Sequence, residues 1–143
     1  MRRYYPISIM LLVFLVVSVG CSQGGGEKAL KERVSQAWEA RMSGDSETLY
    51  DLATNEYKEK VPRDSFTYET NINLTGFIIE KIEIAEGGTR AIASVKIKVE
   101  QKGFTFAFPI NEEWLYEEGT WRLALKTAPK GTFHPDIAET RQK

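Results

Sequence analysis

The 143-residue chain contains one cysteine, Cys21, and one histidine, His134. A single cysteine rules out an internal disulfide, so the fold must rest on its apolar core. A single histidine, set between Phe133 and Pro135, supplies no Ser-His-Asp set without long-range folding back, and no transition-metal cluster. No metal and no cofactor is expected. Gly24-Gly25-Gly26 precedes a helical pattern, but it follows no strand and lacks the lysine of a phosphate-cradling loop. Excess charge is also missing: 19 Lys and Arg face 20 Asp and Glu, a net −1, which argues against a nucleic-acid partner. The greasiest run, Ile7–Val19, has 13 residues including Ser8 and Ser18. As a helix it covers roughly 20 Å against a hydrocarbon core of roughly 30 Å. Counting Tyr4 and Tyr5 extends it to a marginal span, which keeps an uncleaved anchor as the alternative reading.

What is present at the N-terminus is an ordered set of signals. Arg2 and Arg3 come first, then the apolar run, then Ser18-Val19-Gly20-Cys21-Ser22. Positive, hydrophobic, small, Cys is the order of an export signal, and it resembles a bacterial lipoprotein signal peptide. Gly20 is the small residue expected before the cysteine, while Ser18 departs from the usual leucine. The resemblance implies cleavage before Cys21, lipidation of its thiol and attachment to a membrane through acyl chains. Stable anchoring takes two or more such chains. Ser22 stands where Asp would resemble an inner-membrane retention signal. The implied location is therefore extracytoplasmic: the outer membrane of a double-membraned bacterium, or otherwise the outer face of the cell membrane. Removing residues 1–20 takes away Arg2 and Arg3 and no acid, moving the charge from −1 to −3 and leaving 123 residues, enough for one domain.

Residues 21–26 form the lipidated cysteine and a short glycine-rich tether. From Glu27 to about Ser43, Leu30, Val34, Ala37, Trp38 and Met42 recur at helical spacing. Gly44 ends this helix. Asp45 or Ser46 caps a second, with Leu49, Leu52, Ala53 and Tyr57 as its buried stripe. Val61-Pro62-Arg63-Asp64 breaks it, and 65–71 reads as a short helix or turn. From Thr75 the period becomes two. Strands are expected over Gly76–Ala85, Arg90–Glu100, Phe104–Tyr116 and Trp121–Lys126, joined by short glycine turns that make the sheet antiparallel. Pro109 cannot donate to a ladder and implies a bulge, a bend or an edge. Residues 127–143 read as an irregular, partly mobile tail. Asn73-Leu74-Thr75 matches a glycosylation sequon and reads as turn chemistry before the first strand.

The expected domain, 27–126, is α+β: N-terminal helices packed in a curved four-stranded antiparallel meander, a cone-shaped α+β roll. Its helical half reads Val34…Trp38-Glu39-Ala40…Gly44-Asp45…Leu49-Tyr50-Asp51-Leu52…Glu56-Tyr57. Its strand half ends Glu113-Trp114…Glu117-Glu118-Gly119-Thr120-Trp121-Arg122. These patterns resemble the nuclear transport factor 2-like (cystatin-like cone) superfamily. That superfamily includes isomerases, dehydratases, cyclases, transport adaptors and small envelope lipoproteins, so the fold does not fix the function.

Alternation places Ile78, Glu80, Ile82 and Ile84 on one face of the first strand. It places Phe104, Phe106, Phe108, Ile110, Glu112, Trp114 and Tyr116 on one face of the third. A carboxylate among apolar neighbours can act as a general base, which makes Glu80 and Glu112 the catalytic candidates. The competing readings are a rim or lysine-paired Glu80, and a Glu112 turned outward by a shift at Pro109. Trp38, Tyr50, Tyr57, Phe77, Phe106, Phe108, Trp114 and Trp121 either line an apolar pocket or simply pack the core. Lys96 and Lys98 mark a solvated sheet face, or a dimer surface if that face is more apolar. Three functions fit: a non-catalytic binding or scaffold module for an envelope protein partner or a small apolar ligand; a small-pocket enzyme of isomerase, dehydratase or hydrolase type; and a structural homodimer.

Overall fold

The structure, a computed structural model, describes residues 25–126. The signal segment, Cys21, most of the tether, the 127–143 tail and His134 lie outside the described residues. Three helices precede four strands: α1 (Glu27–Ser43), α2 (Ser46–Leu52), α3 (Asn55–Lys60), a 3-10 turn at Arg63–Ser65, then β1 (Asn73–Ile84), β2 (Arg90–Gln101), β3 (Phe104–Glu117) and β4 (Thr120–Leu123). The strands form an open antiparallel sheet in sequence order. The fold is α+β. Among the described residues no helix is long and apolar enough to cross a membrane.

The second helix of the sequence pattern is two. Ala53 and Thr54 are extended, and Ala53 bridges Leu123 of β4 in parallel. Thr54 donates its N–H to the Leu123 carbonyl (3.1 Å), and its hydroxyl accepts from Tyr57 N (3.4 Å). A Thr that caps a helix with its side chain while bonding a strand with its backbone gives two reasons to break the helix there. On the preceding helix Asp45 is the N-cap, accepting from Thr48 N at 3.0 Å.

Two hairpins turn on residue pairs with positive φ: Lys102-Gly103 (52° and 82°) and Glu118-Gly119 (50° and 80°). A two-residue turn matching the strand twist needs both φ positive, which Gly accepts freely at the second position. β4 is shorter than expected, and β1 begins earlier, so the sequon's Asn73 lies inside a strand.

The core lies between the helices and one sheet face. Trp114 and Trp121 are its largest fully buried side chains, with Leu30, Leu49, Leu52, Val34 and Val95 around them. In β2 the inward residues next to the tryptophans are small: Ala91 pairs with Trp114 and Ala93 with Glu112. Small opposite large lets the layers interdigitate. Met42, expected on the buried stripe of α1, is exposed at the end of the helix.

Candidate functional site

β1 carries two irregularities. Its register against β2 shifts between Leu74 and Gly76, and again between Ile79 and Lys81. Each inserts one unpaired residue, Thr75 and then Glu80, and each reverses the inward parity. The inward residues are therefore Leu74, Phe77, Ile79, Ile82 and Ile84, each paired with a buried residue of β2. This corrects the expectation that Ile78 and Glu80 share a face with Ile82. Ile78 is half exposed, and Glu80 is outside, in an ion pair with Lys96. Lys96 and Lys98 lie on this outer face while Val95, Ile97 and Val99 are buried.

Glu112 points inward and is buried. The β2–β3 register runs unshifted from Arg90↔Leu115 to Gln101↔Phe104, straight through Lys96↔Pro109. Pro109 causes no bulge because β4 pairs only with Trp114–Glu117. At Pro109 the far side of β3 is an edge, where the missing N–H breaks no ladder bond.

α1 delivers the partners of Glu112. Trp38 and Arg41, three residues apart, share one helix face. The Trp38 indole N–H donates to Glu112 Oε2 at 2.9 Å. Arg41 Nη1 lies 2.6 Å from Oε1 as an ion pair, off the hydrogen-bond direction. The Arg41 guanidinium also stacks on the Trp38 ring, 4.2 Å from its centroid. Tyr68 sits beside the pair. Burial pushes its hydroxyl pKa up, and the Arg41 charge works against that shift. A general base needs a lone pair free to reach substrate. Here both carboxylate oxygens are engaged, and the arrangement acts as a clamp between α1 and β3.

The aromatic candidates separate into three groups. Trp38, Tyr50, Trp114 and Trp121 are buried in the core. Tyr50 packs on Phe66 (5.4 Å between centroids), which meets Tyr57 edge-on at 6.1 Å, and Arg63 covers the Tyr50 ring at 4.8 Å. Phe77 is half-buried, tilted against Trp38 at 6.4 Å. Phe106 and Phe108 stack on each other at 6.2 Å and are open to solvent. With Phe104 they form a ledge, 68%, 45% and 43% exposed for Phe104, Phe106 and Phe108. The ledge belongs to the inward sheet face, continuing the row of Ile110, Glu112 and Trp114 past the end of the helical cover. A groove of about 460 Å³ lies elsewhere, between α1 and the β3–β4 turn, lined by Ala29, Glu32, Arg33, Gln36, Gly119 and Thr120. None of the predicted aromatics lines it. Among the described residues no group of three or more His, Cys, Asp or Glu could hold a metal ion.

No protein-family model matches this chain, and no curated protein matches it. Arg41 and Tyr68 were not among the sequence candidates. Arg41 had a signal, since Trp38-x-x-Arg41 places a cation on the apolar stripe of α1. Tyr68 lies in the irregular segment before β1, where no periodicity marks the inward residues.

Proposed function

We propose that the protein is a membrane-anchored extracytoplasmic lipoprotein whose α+β domain, a cone-shaped roll of the nuclear transport factor 2-like kind, docks a protein partner. The ledge of Phe104, Phe106 and Phe108 carries this reading. Three phenylalanines on the inward face of a sheet, beyond the reach of its helices, are contiguous apolar area of the sort that marks interaction sites. Phenylalanine is enriched at the centre of such interfaces. The ledge is an open surface rather than an enclosed cavity, which suits a protein better than a small apolar ligand.

The anchor supports the same choice. Gly25 lies against the Tyr116 ring, close enough that an added Cβ would meet its Cζ at 3.0 Å. The tether from Cys21 therefore enters at the β3–β4 end of the sheet. Phe104 stands twelve residues up β3 from Tyr116, on the order of 40 Å for an extended strand. A domain held by Cys21 on a tether of at most roughly 18 Å has its ledge at the far end from its anchor. The occupant is then a protein rather than the anchoring bilayer.

Two measurements test this. Mass spectrometry of the mature N-terminus should find acylated Cys21, and Cys21→Ser should accumulate unprocessed; an intact Met1 on the wild-type protein sinks the lipoprotein reading. A photo-crosslinker at Phe108 in intact membranes should yield one discrete adduct, abolished by Phe106→Ser. No adduct, or an adduct of lipid, sinks the docking reading.

A further inference from the structure

We propose that the groove between α1 and the β3–β4 turn binds a phosphodiester that carries an amine, the chemistry of a zwitterionic membrane headgroup. Glu32 and Arg33 both line this groove of about 460 Å³, with Gln36 and Thr120 beside them, while the small Ala29 and Gly119 leave its space. Its volume lies in the range of small-ligand sites, about 300–1,000 Å³. Successive helix residues do not face each other, so Glu32 and Arg33 are poorly placed to pair. Among the described residues neither has an ion-pair partner. The other described arginines are engaged. Arg41, Arg63 and Arg90 each meet a carboxylate, and Arg122 donates to the Asp51 carbonyl at 2.6 Å. Arg33 has only a long bond to a neutral amide, Nη1 to Gln36 Oε1 at 3.4 Å, although it is half-buried.

The two charges select the ligand. A guanidinium without a carboxylate has its fork of donors free for phosphate oxygens. The Glu32 carboxylate can accept from an ammonium, and the Gln36 amide and Thr120 hydroxyl add neutral hydrogen bonds. A lone anion would meet repulsion from Glu32, and a lone amine repulsion from Arg33. A molecule with one charge of each sign satisfies both. The place of the groove supplies such a molecule. Gly25 lies against the Tyr116 ring, Tyr116 pairs with Trp121, next to Thr120, and Ala29 follows Gly25 by one helical turn. Gly25 is four residues from Cys21, at most roughly 14 Å of chain. A bilayer that holds Cys21 therefore brings its headgroups within reach of the groove. That choice of source rests on the lipoprotein reading; the charge complementarity does not. The phenylalanine ledge, at the other end of β3, stays free for a protein.

Amide chemical shifts of the full chain in alkyl maltoside micelles test this. Glycerophosphoethanolamine should shift the Gln36, Gly119 and Thr120 amides saturably. Dimethyl phosphate, which has no amine, should bind several-fold more weakly. Arg33→Gln should weaken both about tenfold, the worth of roughly one charge-assisted hydrogen bond. Glu32→Gln should abolish the difference between the two compounds. Amides of β2 report that each variant is folded. Saturation by dihexanoylphosphatidylethanolamine mixed into the micelles assigns the membrane headgroup as the source, and saturation by the free compound alone assigns a soluble phosphodiester. The proposal is overturned if neither saturates, if Arg33→Gln binds like the wild type, or if dimethyl phosphate binds as well as the compound with an amine. Mass spectrometry of Cys21 reports the lipoprotein reading separately. Binding by a protein with unmodified Cys21 would remove the anchor and keep the groove, and acylated Cys21 without binding would do the reverse.

Discussion

The indole N–H of Trp38 donates to Glu112 across 74 residues of chain, tying the middle of α1 to the inward face of β3. Arg41 closes the same carboxylate from its other oxygen, with side-chain exposures of 10% for Arg41 and 6% for Glu112. A buried charge stands only while its partner does.

Glu112→Ala should therefore destabilise the fold by about 3–5 kcal/mol, because it leaves the Arg41 guanidinium buried and unpaired. The double variant Arg41→Met with Glu112→Leu should recover most of that loss, since an apolar pair needs no desolvation of charge. Urea denaturation of the two singles and the double gives the coupling. Additive losses would show that the clamp is not a unit.

Two sets of aromatics on one strand face should respond oppositely. Trp114→Ala empties a fully buried site and should cost about 3–5 kcal/mol. Phe104→Ser removes an exposed ring and should stay within about 0.5 kcal/mol. Comparing their thermal or urea midpoints tests whether the ledge lies outside the core.

Pro109→Ala should also leave stability within about 0.5 kcal/mol, because its nitrogen faces the strand edge rather than β2. The new N–H adds a donor to that edge. Light scattering should therefore show more self-association for the Pro109→Ala variant than for the protein that keeps Pro109.

Alkaline pH should weaken the fold through Tyr68. Burial raises its hydroxyl above the ordinary 10.0, so the folded state holds the proton more tightly than the unfolded chain. That stabilisation is complete below about pH 10 and is lost as pH rises through the folded value. Tyr57, raised by burial in the same direction, adds to it. Tyr68→Phe should flatten the decline of the denaturation midpoint above pH 10; an unchanged decline would place the titration elsewhere.

How far the sequence could be read depended on whether a feature was local. The α1 stripe, read as Leu30, Val34, Ala37, Trp38 and Met42, follows from spacing alone and is buried except at Met42, and the turns read at Gly103 and Gly119 are in the structure. The inward side of β3 was legible because its alternation runs fourteen residues without a shift. Glu80 was misplaced because a bulge depends on pairing with another strand: Gly76 beside Thr75 is a residue that marks such sites, but Ile79 and Lys81 beside Glu80 are not. The break at Ala53-Thr54 was hidden for a similar reason. Its cause is a bond to Leu123, on the last strand of the sheet.

The sequence by itself determined the element types, the antiparallel order and the lone Cys21 behind its apolar run, since each depends on residues within a few positions of one another. Only the tertiary structure decided that Glu112 is clamped by Trp38 and Arg41, that Glu80 faces solvent with Lys96, and that three phenylalanines stand beyond the helical cover. Those outcomes depend on where α1 stops over the sheet and where each strand slips against its neighbour. Such distances arise from packing the whole domain at once, and no local pattern encodes them.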